Sequence, residues 1–140
     1  MTLTITLVAA AAAALINLWL VARVGRMRGT EKVSIGDGGN DRIIARMRAH
    51  ANFVEYTPFV LILVGLIELA RGPVLWLWIV VAVFMIGRVL HALGMDGLRS
   101  GRAIGTAITL LTLLVLALYA LYIPFTTSAT TDLIASVRLD

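Results

Sequence analysis

The residues with the greatest chemical potential lie together in one segment, from Arg48 to Pro58. On a helix, Arg48, Asn52 and Glu55 are spaced i, i+4 and i+7, so they share one face. Glu55 would lie about 10 Å along the axis from Arg48, and a carboxylate at that depth in a membrane is costly unless it is paired or hydrated. This stripe therefore predicts a functional site. The alternative is a structural ion pair between Arg48 and Glu55 that locks helices together.

A second polar cluster contains Arg88 and His91, with Arg99 and Arg102 shortly after it. Arg88 and His91 are spaced i, i+3 and share a helix face. Arg88 could extend to the lipid headgroups, as arginines near the ends of membrane helices often do. Together with the first stripe, however, the cluster predicts a basic pocket at the mouth of a helix bundle.

Such a pocket suits a small, multiply charged ligand. Guanidinium groups bind carboxylates through two parallel hydrogen bonds, while Glu55 and Asn52 can hold an ammonium and a peptide group. A molecule with two carboxylates and one amine, such as glutathione, fits this set of side chains.

Apolar helices must position these residues. The 140-residue chain is 60% hydrophobic and only 14% charged, whereas a soluble domain has about 25% charged residues. Long uncharged stretches alternate with charged clusters, which predicts an all-α membrane protein with a single domain over residues 1–140. Its four helices are expected at about residues 3–24, 41–70, 74–94 and 102–124, followed by a polar tail over residues 126–140.

The basic residues predict the orientation. Ten of the twelve Lys and Arg residues lie within residues 22–48 and 88–102, so the positive-inside rule places these ends in the cytoplasm and both termini outside. The net charge of +4 is then a feature of membrane topology, and nucleic acid is not an expected partner. Without cysteines, and with His50 and His91 far apart, no metal site is predicted.

The segment RAHANFVEYTP, residues 48–58, resembles the helix-2 signature R-A-x-x-N-x-x-E-x-x-P of the MAPEG family, the membrane-associated proteins in eicosanoid and glutathione metabolism. The segment from Gly87 to Gly94 is similar to the end of the family's helix 3. Arg102, Gly105 and Thr106 resemble the start of its helix 4. The resemblance covers most of the chain, and the chain is identified as similar to bacterial microsomal-glutathione-transferase-like members.

The resemblance implies a four-helix bundle that assembles as a homotrimer and binds glutathione as a co-substrate between subunits near the cytoplasmic side. The implied glutathione contacts are Arg48, His50, Asn52, Glu55, Tyr56, Arg88 and His91. The implied catalytic arginines are Arg102, Arg28 and Arg26. Met95 and Thr106 stand where some relatives have tyrosine, which removes hydroxyl donors and bears on turnover more than on binding.

The expected function is a glutathione-dependent transferase or peroxidase of the bacterial inner membrane. A thiol is a poor nucleophile until it is deprotonated, and a guanidinium stabilises the thiolate; Arg102 is the first choice for this role. The substrates would be lipophilic electrophiles or lipid hydroperoxides that arrive through the lipid phase. The alternatives are a non-catalytic scaffold or lipid-binding member of the same family and, with less support in the absence of an inverted repeat, a small transporter.

Overall fold

The computed structural model describes residues 2–98 and 100–137, with side chains described as far as Thr126. This part of the chain is all-helical and contains α1 (Thr4–Glu31), α2 (Asp41–Arg71), α3 (Leu75–Met95) and α4 (Gly101–Val137). Each helix contains a stretch long and apolar enough to cross a membrane, which confirms the predicted all-α class and four-helix bundle. Arg99 and residues 138–140, the end of the predicted polar tail, lie outside the described residues.

The helix ends follow from local chemistry. The first helix continues to Glu31, beyond the expected end near residue 24, because the residues after the apolar stretch include no proline. It stops where Lys32 adopts a left-handed conformation with φ of 56°. The second helix is capped by Asn40, whose side-chain oxygen accepts from the N–H groups of Arg42 and Ile43 at 2.9 and 3.3 Å. It ends at Gly72, with φ of 76°, directly before Pro73.

The start of α1 is held by a side chain of another helix. Glu68, buried near the end of α2, accepts hydrogen bonds from the N–H groups of Ile5 and Thr6, both at 2.8 Å, and from the Thr6 hydroxyl at 2.7 Å. The first N–H groups of a helix have no partner within the helix, and an apolar environment makes unpaired ones costly. The Glu68 carboxylate therefore replaces the N-terminal cap that Leu3 does not supply.

The two central helices, α2 and α3, each pack against all three other helices, whereas the backbones of α1 and α4 are not neighbours in the described part of the chain. Side chains of all four helices form the buried core. Its members include Ile5, Val60, Val64, Ile67, Leu77, Phe84 and Leu116. Many large apolar side chains face outward, as expected for helices whose solvent is lipid.

Glycines allow α3 and α4 to pack closely. A Cβ atom on Gly105 would lie 2.5 Å from the backbone oxygen of Gly87 and 2.6 Å from the Cβ of His91, and one on Gly94 would overlap the backbone of Arg102. Small residues of this kind let membrane helices approach each other. The close approach brings His91 against the first turns of α4.

Candidate functional site

A polar cavity of about 120 Å³ opens where α2, α3 and α4 meet, near the end of the bundle that carries the α3–α4 loop. It is lined by Arg48, Asn52, Glu55, His91, Met95 and Arg102. The structure thus brings together in one cavity five of the residues that the sequence singled out as a site, contributed by three helices.

Like Arg102, two further side chains of this cavity carry charges that no described residue pairs. Arg48 and Glu55 are both exposed, and neither forms an ion pair with another described residue. The alternative of a structural Arg48–Glu55 ion pair is therefore not observed within the chain. Both charges remain available to a molecule in the cavity.

Arg88 lies behind the cavity rather than in its lining. Its side chain is 1% exposed, so it does not extend to the lipid headgroups as the sequence alternative allowed. One guanidinium nitrogen, Nη1, donates to Thr109 Oγ1 at 2.8 Å, and the other, Nη2, donates to Asn52 Oδ1 at 2.7 Å. Among the described residues, no carboxylate forms an ion pair with this guanidinium.

The Nδ1 atom of His91 lies against the first turns of α4. Its Nδ1 lies 3.4 Å from the backbone oxygen of Arg102 and 3.2 Å from Thr106 Oγ1, and the Thr106 hydroxyl donates to that same backbone oxygen at 2.9 Å. A backbone oxygen can only accept, so the contact with Arg102 is a hydrogen bond in the tautomer that carries its proton on Nδ1. In that tautomer Nε2 is an acceptor; it has no hydrogen-bond partner among the described residues, and His91 lines the cavity.

Arg28 and His50 belong to a different cavity, of about 500 Å³, on a second face of α2 against α1. Its lining consists of Val21, Val24, Gly25, Arg28, Met47, His50, Ala51 and Val54. The Arg28 guanidinium contacts Met47 Sδ at 3.5 Å, and His50 Nε2 forms an interhelical hydrogen bond of 2.9 Å with Asn17 Oδ1. Within one chain, Arg28 and His50 therefore do not join the first cavity.

The remaining two predicted site residues line neither cavity. Arg26 is exposed on α1, and Tyr56 is half-buried on α2. The structure of one chain thus separates the candidate arginines: Arg102 lines the cavity between α2, α3 and α4, whereas Arg28 lies on α1 and faces α2.

An ionic cluster that the sequence did not indicate lies next to the first cavity. Asp96, directly after α3, accepts hydrogen bonds from Arg23 of α1 and from Arg46 of α2, the latter at 3.1 Å. Burial acts to raise the pKa of Asp96, but hydrogen bonds from both guanidinium groups outweigh burial and hold this pKa below its ordinary value. The partners lie 73 and 50 positions away, too far apart for helical spacing to reveal the cluster.

Two threonines of α4, Thr106 and Thr109, contact residues of α3 that were predicted to belong to the site, a role that the sequence analysis did not give them. Both hydroxyls donate back to carbonyls of their own helix, at Arg102 and Gly105, four residues earlier. The Thr109 oxygen also accepts from Arg88 of α3, and the Thr106 oxygen lies 3.2 Å from Nδ1 of His91 on the same helix. A threonine inside a helix is known to bond back to the carbonyl four residues earlier, so these two bonds could be expected from the sequence. The contacts of the two threonines with α3 depend on tertiary packing and could not.

Comparison with known proteins places this arrangement in a family. A sequence model of the MAPEG family matches residues 6–122, a range that contains every residue lining the two cavities. The chain belongs to the MAPEG family. The MAPEG resemblance of the Arg48–Pro58 segment is thereby confirmed, and in this MAPEG chain the signature residues Arg48, Asn52 and Glu55 line one cavity.

Two relatives of this MAPEG chain are the inner membrane protein YecN of Escherichia coli K12 and the protein of the same name from Escherichia coli O6:H1 strain CFT073. Each is 32% identical over 71 residues, a segment that covers 51% of this chain and 54% of the relative. The match therefore spans about half the length of these relatives.

Proposed function

We propose that this chain is a membrane-bound, glutathione-dependent transferase or peroxidase that acts on lipophilic electrophiles or lipid hydroperoxides. One observation carries the proposal: a single cavity contains Arg48, Glu55 and Arg102, none of them in an ion pair with a described residue, beside the Asn52 amide and His91. This set of groups complements a zwitterionic peptide with two carboxylates, one ammonium and a thiol.

The size of the cavity supports a site between subunits. Pockets for small molecules usually enclose about 300–1,000 Å³, so the cavity of about 120 Å³ in one chain can hold only part of a tripeptide. A neighbouring copy in a homotrimer would supply the missing wall. The face of α1 and α2 that carries Arg28 and His50 is our candidate for that wall, because its larger cavity offers basic groups at an apolar surface.

Glutathione supplies a thiol whose deprotonated form is the nucleophile. Arg102 would stabilise that negative charge and lower the pKa of the bound thiol. His91 would accept the thiol proton at Nε2 in the tautomer whose Nδ1–H faces the Arg102 backbone oxygen. Arg48 would bind a carboxylate and Glu55 the ammonium, and lipophilic substrates would enter from the membrane.

The relatives support the proposed location, and the basic residues support the proposed orientation. YecN is named an inner membrane protein, and we place this chain in the bacterial inner membrane as well. The site-bearing end would face the cytoplasm, with both termini outside. Because the sequence has no cysteine, a single cysteine at Ser34 should react with a membrane-impermeant maleimide only in inverted vesicles; labelling in intact cells would contradict this orientation.

The thiolate provides the direct test of the mechanism. Purified protein in detergent should bind glutathione saturably and develop the ultraviolet absorbance of a thiolate at neutral pH. Arg102→Ala should raise the pKa of the bound thiol by about one to three pH units and remove most of that absorbance. Arg71→Ala, at the opposite end of α2, is the matched control and should behave like the wild type.

The possible outcomes separate the alternatives. Unchanged thiolate absorbance in the Arg102→Ala protein would remove Arg102 from this role. Complete absence of saturable glutathione binding to the wild type would contradict the proposed function and favour the non-catalytic scaffold.

A further inference from the structure

Arg88 is a buried cation whose charge no described carboxylate neutralises. It is 1% exposed, and its Nε has no hydrogen-bond partner at all among the described residues. An ionisable residue inside a membrane bundle is expensive to maintain and is usually functional. Its position behind the cavity, rather than in it, excludes direct contact with a molecule that occupies the cavity space of this chain.

Hydrogen-bond chemistry fixes the orientation of this guanidinium. Thr109 donates its hydroxyl hydrogen to the Gly105 backbone oxygen at 2.8 Å, so Thr109 Oγ1 can only accept from Arg88 Nη1. With Nη1 held by α4, Nη2 points to α2 and reaches Asn52 Oδ1 at 2.7 Å. The guanidinium is thus held between two helices by both of its terminal nitrogens.

The same chemistry fixes the Asn52 amide. A guanidinium has donors only, so the oxygen of Asn52, and not its NH₂ group, must face Arg88. The NH₂ group then points away from Arg88; it has no partner among the described residues and is not sealed from the cavity that Asn52 lines. The nearby positive charge also polarises the amide and makes its N–H groups stronger donors.

We propose that Arg88 is a positioning residue that acts through Asn52: it holds the amide so that Nδ2 donates into the cavity to a carbonyl or carboxylate oxygen of the ligand. This inference rests on the proposed function, and it replaces the expectation that Arg88 itself contacts glutathione. In this proposal, Asn52 on α2 and Arg88 on α3 together make the site specific for a ligand that has an acceptor oxygen at this point.

Double-mutant analysis of binding tests the proposal. The probe is S-methylglutathione, which has no ionisable thiol and so reports binding without thiolate formation. Asn52→Ala and Arg88→Met should each weaken binding about 10-fold or more, and the double variant should bind no more weakly than Asn52→Ala alone. Effects that multiply in the double variant would show that Arg88 acts independently of Asn52 and would overturn the proposal.

A conservative variant covers the case in which Arg88→Met does not fold. Arg88→Lys keeps the charge but carries its donors on a single nitrogen, so it should retain part of the affinity when Asn52 is present. In the Asn52→Ala background it should not weaken binding any further. An equal loss in both backgrounds would contradict a role through Asn52.

Asn52→Asp separates this inference from the proposed function. Its carboxylate should form an ion pair with Arg88 and raise the thermal unfolding temperature, while the loss of the NH₂ donor removes S-methylglutathione binding. If the wild type binds no glutathione, the proposed function fails, but the rise in unfolding temperature still tests the contact between position 52 and Arg88. No rise would overturn that contact, and retained binding would overturn the assigned donor.

Discussion

At the scale of single residues, the charge of Glu55 is not expected to contribute to the stability of the fold. It is exposed at the cavity and forms no ion pair with a described residue. Glu55→Gln should therefore leave the unfolding temperature unchanged but weaken glutathione binding about 10-fold or more, by removing the partner of the ammonium. Calorimetric titration measures the binding, and Glu31→Gln, on an exposed residue at the end of α1, is the control. Equal affinity in the Glu55 and Glu31 variants would contradict the assignment.

Asp96 has the opposite character, because its charge is paired within the chain. With a depressed pKa, its contribution to the free energy of unfolding is fully present above the ordinary aspartate pKa and is lost as the pH falls through the lowered value. Stability should thus not depend on Asp96 titration between about pH 5 and 8. Asp96→Asn should lower the free energy of unfolding at pH 7 by about 1–3 kcal/mol, measured by denaturant titration in detergent.

The control for Asp96 is Asp37→Asn, since the asparagine oxygen can still accept from the Gly39 N–H. Wild type and Asp96→Asn should also converge in stability under strongly acidic conditions, where the Asp96 carboxylate is protonated. A difference that persists unchanged at low pH would contradict an electrostatic role for Asp96.

At the scale of helices, the close packing of α3 and α4 sets the position of His91. Gly105→Ala would place a methyl group 2.5 Å from the Gly87 backbone oxygen, so the helices must separate, at a cost of about 1–3 kcal/mol. As the helices separate, the hydrogen bonds between His91 and α4 should weaken, and glutathione affinity should fall. Gly25→Ala meets nothing within 4 Å and should be neutral or slightly stabilising. Denaturant titrations of both variants measure the difference, and equal stability would contradict the packing argument.

Helical periodicity accounts for what the sequence could reveal about the site. The spacing of Arg48, Asn52 and Glu55 is sufficient to place them on one helix face, and hydropathy is sufficient to count the four helices. Periodicity could not show which way the Arg88 side chain points. The same sequence spacing allows an arginine near a helix end to face either the lipid headgroups or the interior of the bundle. The side chain turns inward because Thr109 and Asn52 offer acceptors there, a fact of tertiary packing.

Long-range pairing also limited the sequence-based prediction. Asp96 and its two arginines are on separate helices, and nothing in their spacing connects them. The expected end of α1 near residue 24 followed the loss of hydropathy, yet the helix continues to Glu31 because polar residues outside an apolar layer can remain helical.

At the scale of the whole molecule, the proposed assembly predicts complementation between inactive copies. If each site combines Arg28 of one copy with Arg102 of another, Arg28→Ala and Arg102→Ala chains should each be inactive alone. Random mixing at equal amounts should restore about a quarter of the sites. Thiolate absorbance of refolded mixtures measures the recovery, with a mixture of separately refolded proteins as the control. No recovery would contradict a site shared in this way.

The bond between Glu68 and the start of α1 has a consequence for biogenesis. The first helix emerges from the ribosome more than sixty residues before the carboxylate that accepts from its leading amides. Until α2 has been synthesised, those amides must stay near the aqueous boundary, so the first two helices are expected to settle in the bilayer as a hairpin. The final position of the start of α1 therefore depends on Glu68, near the C-terminal end of α2.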